Sequence, residues 1–203
     1  MELITSRRNP LVTRLRALHQ PKGRREQGLL LLEGTHLLQE VLRLGLRPEQ
    51  LLATEAWLAR QAPLLAGCGC TPQPVGEEVL KAVATTEHPD GVVLTLPAAA
   101  LPQASGGGGF VLALDQLQDP GNLGTLLRTA LAAGVEEVWL GGGADPLQPK
   151  VLRASAGSAL ALPLRREADR AGLLPLLQAA LAGGHQLVAT LVEGGGGAAA
   201  EPP

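Results

Sequence analysis

Asp119-Pro-Gly-Asn-Leu-Gly-Thr-Leu-Leu-Arg-Thr-Ala130 is the most informative stretch of the chain. It follows Phe110-Val-Leu-Ala-Leu114, a short apolar run that reads as a buried strand. Pro120 and Gly121 read as a turn, with Asn122 at the N-cap of a helix. Leu123, Leu126, Leu127, Ala130 and Leu131 then recur at helical spacing and give that helix an apolar stripe. Asn122 thus falls at the mouth of a strand-to-helix loop, and Arg128 on the second turn beyond it. Open α/β sheets place their ligands at such loops, outside the carboxyl ends of the strands. An amide and a permanent cation converging there suit an anionic or hydroxyl-bearing substrate.

Working outward, the same alternation continues on both sides. Upstream, residues 7–19 spell a basic amphipathic helix, 29–32 a strand, 35–44 a helix stopped by Gly45, and 51–53 a strand. Helices over 55–65 and 76–83 and a strand over 91–95 complete a small α/β domain with a mainly parallel sheet. Downstream come a helix over 123–133, a strand over 137–140 and a short helix opened by Pro149. A strand over 160–164, a helix over 170–182 and a strand over 186–192 follow. Composition sets the boundaries: a small domain 1–96, a Pro/Gly/Ala linker 97–109, a second domain 110–193 and a low-complexity tail 194–203.

The chain has 203 residues and a formal net charge of −2, which by itself selects no partner. The distribution of charge does. Arg7, Arg8, Arg14, Arg16, Lys22, Arg24 and Arg25 stand against the single acid Glu2 in the first twenty-five residues, the asymmetry of a polyanion-binding surface. A solvated helix face is the plainer reading of the same run. The two cysteines, Cys68 and Cys70, lack the partners of a four-ligand zinc site and read as reduced thiols. The four histidines are scattered, and no metal is expected. The glycine runs do not fit the phosphate-loop patterns. With no signal-peptide segment and no apolar run of membrane-spanning length, a cytoplasmic protein is expected.

Three segments carry a resemblance to a known family. Asp119 to Ala130 resembles the first signature of the SpoU/TrmH class of RNA 2'-O-methyltransferases. Lys150-Val-Leu-Arg-Ala-Ser-Ala-Gly157 is similar to that family's Arg-Ala-Ser-x-Gly segment. Ile4 to Val12 and Arg24 to Gly34 are similar to the small RNA-recognition domain that precedes the catalytic domain in many members. Thr86-Glu-His-Pro-Asp-Gly91 resembles the family's Pro-Gln-Gly turn, with Asp90 replacing the glutamine.

The resemblance implies an α/β protein whose second domain is a doubly wound parallel sheet of the trefoil-knot type, incomplete at its C-terminus because the knot motifs are absent from the sequence. It implies methyl transfer from S-adenosylmethionine to a ribose 2'-hydroxyl, in ribosomal more than transfer RNA, by a homodimer. It assigns catalysis to Asn122 and Arg128, and cofactor contact to Thr190 and Leu191. RNA contact falls to Arg7, Arg8, Asn9, Arg14, Lys22, Arg24, Arg25, Arg153 and Ser155. Deprotonating a guanidinium of ordinary basicity at neutral pH costs about 8 kcal/mol. Arg128 as general base and Arg128 as charged orienting group therefore both stand. A different class of reading is a non-catalytic RNA-binding protein. An ordinary open-sheet nucleotide-binding enzyme is a third, and it lacks its Gly-x-Gly-x-x-Gly turn.

Overall fold

A computed structural model describes residues 2–107 and 109–190. The first half opens with two short helices, α1 (Pro10–Ala17) and α2 (Pro21–Gln27). Asn9 caps α1 by accepting a hydrogen bond from the Leu11 amide at 2.9 Å. Each helix begins on a proline, whose missing N–H is not needed in a first turn. The half then runs β1 (Leu29–Glu33), α3 (Thr35–Arg43), β2 (Gln50–Ala53), α4 (Glu55–Arg60) and α5 (Ala62–Leu65). It ends with β3 (Gln73–Pro74), α6 (Glu77–Val83) and β4 (Val92–Pro97). The single helix expected over 55–65 is broken at Gln61, because Pro63 lies in the first turn of α5 and cannot continue an earlier helix.

The sheet order is β1-β4-β2-β3, and it corrects the expected parallel arrangement. β4 runs antiparallel to both β1 and β2, and only β2–β3 is parallel. The central β4 is buried on both faces through Leu96. A strand covered on both sides reads as a continuous apolar run whichever way it points, so its direction left no mark in the sequence.

Strand β4 takes in Pro97, and a 3₁₀ turn (Ala98–Ala100) follows it. The Gly/Ala-rich connector is pinned at two places. Gln103 makes a parallel bridge to Leu164. The buried Glu137 carboxylate accepts hydrogen bonds from the Ser105 amide (2.8 Å), the Ser105 hydroxyl (2.7 Å), the Gly106 amide (3.0 Å) and the Trp139 indole (2.9 Å). Burial alone would raise the Glu137 pKa, but these donors together hold it below the usual carboxylate range.

The second half comprises β5 (Val111–Asp115), α7 (Pro120–Ala132), β6 (Glu137–Gly141), α8 (Pro149–Ala154), α9 (Ser158–Ala161), β7 (Leu164–Glu167) and α10 (Arg170–Ala182). Its sheet is parallel, in the order β5-β6-β7. The two faces of β6 separate cleanly. Val138 and Leu140 join the core with Leu123 and Leu127 of α7 and Val151 and Leu152 of α8. On the opposite face, a Cβ at Gly141 would stand 2.9 Å from Leu173 of α10. Helices therefore cover both faces, as a doubly wound sheet requires.

Two strand expectations are corrected. Residues 160–163, expected as strand, close α9 and its exit, and β7 starts at Leu164; an apolar run this short is compatible with either state. Residues 186–190 form no strand, and Leu187 and Val188 are 51% and 78% exposed. The outer edge of β5 carries no described partner, and 186–190 do not pair with it. Val192 and the tail 194–203 lie outside the described residues.

The two halves share one core. The face of the small sheet carrying Leu30, Leu32, Leu51 and Leu94 is continuous with Leu123, Leu127, Val151 and Leu160 of the second half. The other face of the small sheet packs separately on α1 and α6 through Leu15, Leu18, Val79 and Val83.

Candidate functional site

The carboxyl ends of β5, β6 and β7 converge at one end of the parallel sheet. Loop 116–119 leaves β5 with Gln116 at φ 49, a left-handed conformation that costs free energy in a non-glycine residue. Asp119, not Asn122, is the N-cap of α7. Its carboxylate accepts from the Asn122 amide at 2.7 Å, and Asn122 sits inside the first turn. This corrects the expected cap: Asp and Asn cap equally well, and Pro120 fits the first helical position only if the residue before it is the cap. With its amide satisfied by Asp119, the Asn122 side chain is released to solvent.

Arg128 is exposed on the same helix, and no acidic side chain of the described residues pairs with it. Asn122 and Arg128 lie six residues apart, more than one and a half turns, so they border the exposed face of α7 rather than touching. Gly124, between them, is required by packing. A Cβ there would stand 2.4 Å from Ala154 Cβ and 2.8 Å from the Ser155 amide, because α8 crosses α7 at that point.

The loop after β6 lies against this end. The Ala144 amide donates to Leu117 O at 2.8 Å, and the Arg166 guanidinium to Gly143 O at 3.0 Å. Gly142 and Gly143 both have φ of 78. The three glycines 141–143 are where an extended cofactor could approach backbone. Protein already occupies that space: added Cβ atoms would meet Leu173 at 2.9 Å, Ala168 O at 3.0 Å and Leu117 O at 2.4 Å. Two open cavities lie elsewhere, one lined by Glu2, Ile4 and Asn9, the other by Thr54, Arg60, Lys81 and Asp90. Thr190 is exposed on irregular chain, and Leu191 lies outside the described residues. The described residues at this end thus leave Asn122 and Arg128 exposed and do not by themselves compose a closed holder for S-adenosylmethionine.

The basic residues of the first half divide into two groups. Arg7, Arg8, Arg14, Lys22 and Arg25 are exposed, as is Arg16. The pair Arg7–Glu78 at 3.7 Å is open to solvent and weak. Helices α1 and α2 make one unit, since a Cβ at Gly23 would stand 2.0 Å from Ala17 O. Asn9 is engaged in capping.

Arg24 corrects its assignment to RNA. It is 5% exposed and donates to Leu18 O (2.8 Å), His19 O (3.1 Å) and Asp145 Oδ2 (2.5 Å). Ser155 is corrected likewise, and Arg153 is engaged within the protein. Arg153 Nη1 donates to Glu33 Oε1 and to Thr85 Oγ1, both at 2.7 Å. Ser155 is fully buried, and its hydroxyl donates to Leu152 O at 3.1 Å. Arg24 and Ser155 are closed off from phosphate by burial, whereas Arg153, still partly exposed, spends one nitrogen on Glu33 and Thr85.

Nothing in the sequence marks Asp145 and Glu33 as the partners of Arg24 and Arg153. Glu33 is buried at the end of β1, accepts from Thr85 and Thr86, and would leave an uncompensated charge without Arg153. Cys68 and Cys70 are free, with burial, and for Cys68 also the neighbouring Cys70, pushing their thiols up. Among the described residues no cluster of His, Cys, Asp or Glu is arranged to hold a metal, and no helix is long and apolar enough to cross a membrane.

Comparison with known proteins agrees with this geometry. Residues 9–94 match the MRM3-like substrate binding domain, and residues 109–196 the SpoU rRNA Methylase family. The chain is 47% identical to an uncharacterized tRNA/rRNA methyltransferase of Synechocystis sp. over 93% of its own length and 69% of that protein's. It is 37% identical to the 23S rRNA (guanosine(2553)-2'-O)-methyltransferase RlmP of Bacillus subtilis, over 82% of this chain and 65% of that one. The AdoMet-bound rRNA methyltransferase of Sinorhizobium meliloti superposes with a TM-score of 0.71 at 32% identity, covering 88% of this chain and 69% of that one.

Proposed function

The chain belongs to the SpoU rRNA methylase family of S-adenosylmethionine-dependent methyltransferases, and we propose that it serves methyl transfer to a ribose 2'-hydroxyl of ribosomal RNA. The chain spans about two thirds of the relatives it matches, 69% and 65% for the two curated ones, so this activity is a reading of the whole enzyme.

One observation carries the reading. The exposed Asn122 sits at the carboxyl end of the parallel sheet, Arg128 lies unpaired among the described residues farther along the same helix, and the buried Arg24–Asp145 contact brings the basic helices α1 and α2 to that end. RNA held across Arg14, Arg16, Lys22 and Arg25 by its phosphates would then present a ribose toward Asn122 and Arg128.

S-adenosylmethionine supplies an electrophilic methyl group when bound. What this chain supplies is orientation. Arg128 carries a planar fork of donors that suits the phosphate beside the reacting ribose, and Asn122 offers both a donor and an acceptor to a sugar hydroxyl. Its exposure and the absence of a described acidic partner support Arg128 as a charged orienting group more than as a base. Small domain, connector and catalytic half follow the two matched segments, 9–94 and 109–196. Exposed Phe110, Leu174 and Leu181 support a homodimer, in which apolar surface of the second half is covered by a second copy. No finding favours the non-catalytic alternative.

The test is methyl transfer from labelled S-adenosylmethionine to undermodified ribosomal RNA, with the modified position mapped by its resistance to alkaline cleavage. Ribose methylation that falls by at least about tenfold in Arg128→Lys, a loss of roughly 1.4 kcal/mol, is expected. Methylation confined to bases, or full activity in Arg128→Lys, would overturn the reading.

A further inference from the structure

We propose that Arg24–Asp145 and Arg153–Glu33 form a two-point fixture that sets the register of the basic helices against the carboxyl end of the catalytic sheet. Arg24 and Arg153 are then positioning residues. The inference rests on the RNA-methyltransferase reading above and extends it to residues that contact neither RNA nor cofactor.

The first point joins three elements at one guanidinium. Arg24 of α2 holds the carbonyls that close α1, at Leu18 and His19, and reaches Asp145 in the loop after β6. Asp145 is itself fixed, since its other oxygen accepts from the Leu147 amide at 3.0 Å. The neighbouring Ala144 amide bonds Leu117 O, two residues before the Asp119 cap that frees Asn122. A continuous polar path therefore runs from the basic face to the loop that presents Asn122. The second point lies on α8, the helix that crosses α7 at Gly124. There Arg153 meets Glu33, whose remaining capacity is filled by Thr85 and Thr86.

The shared apolar core holds the halves together, but apolar contact is non-directional and rewards burial more than any one orientation. Two separated, directional ion pairs, each with one arginine and one anchored carboxylate, leave a single orientation in which both are satisfied. Buried charges that lose a partner are strongly disfavoured, so each pair penalises every other register.

The test measures orientation directly. In a chain carrying Cys68→Ala and Cys70→Ala, spin labels on Thr13→Cys of α1 and Thr129→Cys of α7 report the separation of the halves by dipolar spectroscopy. The fixture predicts one narrow distance distribution, which widens by about twofold in Asp145→Asn combined with Glu33→Gln, as expected for domains left with an unlocked interface. Affinity for a short fluorescein-labelled mixed-sequence RNA, and its salt dependence, should stay within about twofold in Asp145→Asn, whereas Arg14→Gln should lower both and leave the distance narrow.

A distribution that stays narrow in the cooperatively melting double variant overturns the proposal, as does an Asp145→Asn that loses RNA affinity and salt dependence together. Should Glu33→Gln not fold, the isosteric and partly exposed Asp145→Asn decides alone. If the unsubstituted chain bound no RNA, the RNA reading would fall while the distance measurement still decided the fixture.

Discussion

Replacing Gly124 by alanine sets two physical effects against each other. Alanine in a helix interior is favoured over glycine by about 1 kcal/mol, so propensity alone predicts a more stable protein. Packing predicts the reverse. The added Cβ would stand 2.4 Å from Ala154 Cβ, 2.8 Å from the Ser155 amide nitrogen and 2.9 Å from the Ala154 carbonyl carbon. Carbon contacts are comfortable at roughly 3.5–4.0 Å, so α7 and α8 must part by about 1 Å. Two of the three obstacles are backbone atoms, and no rotamer change relieves them. Overpacking costs typically about 1–3 kcal/mol, and a forced helix shift belongs at the upper end. Set against the propensity gain, the net loss is about 2 kcal/mol, or roughly 4–8 °C in Tm for a chain of this size. Thermal denaturation followed by circular dichroism measures it. Thr125→Ala is the control: it lies on the exposed side of the same helix, its hydroxyl bonds only Gly121 O, and its Tm should hold or rise slightly. A Gly124→Ala protein as stable as the parent would refute the close crossing of α7 and α8.

Three further outcomes follow from the same geometry. Glu137 titrates below the ordinary carboxylate range in the folded protein, so its contribution is complete above the unfolded pKa, about 4.3, and is lost as pH falls through the lower folded value. Glu137→Gln should therefore flatten the acid side of the Tm-against-pH curve relative to the parent; an unchanged acid limb counts against the pinned connector. Asp119→Ala should cost about 1 kcal/mol of stability by urea denaturation through loss of the α7 cap, while Asn122→Ala costs a few tenths at most; equal losses would return the cap to Asn122. Replacing Arg14 and Arg16 together by glutamine should reduce the log–log salt slope of RNA binding by about 1.4, at roughly 0.7 per phosphate contact on single strands; an unchanged slope would move the RNA off α1.

The sequence was most legible where one residue type answers one local need. Pro149 opens α8 and Gly45, with φ of 71, follows the end of α3, because each is close to obligatory in its place. The alternation of elements also identified the parallel second sheet. It failed for the small sheet, where strand direction is set by which end the connection enters. Within the site, the exposed Arg128 and the buried Arg24 are both simply arginines in the sequence. Only the position of Asp145, more than a hundred residues from Arg24, separates an internal cation from an exposed one. Gln73–Pro74 was too short to carry a period and is a strand only because β2 lies beside it.

Gly157, in the turn between α8 and α9 at φ of 86, would with a side chain press on Glu40 Cβ at 2.9 Å, from helix α3 of the other half. The two halves match separate family models, which suggests interchangeable modules. This contact makes them a fitted pair. A substrate-binding domain borrowed from a relative would have to bring a helix with the same bare approach at the positions of Leu37 and Glu40, together with a carboxylate where Glu33 meets Arg153. Exchange of RNA specificity between family members is therefore expected to proceed by changing the exposed residues of α1 and α2 in place, and chimaeras cut at the connector should need both surfaces transplanted to fold as one.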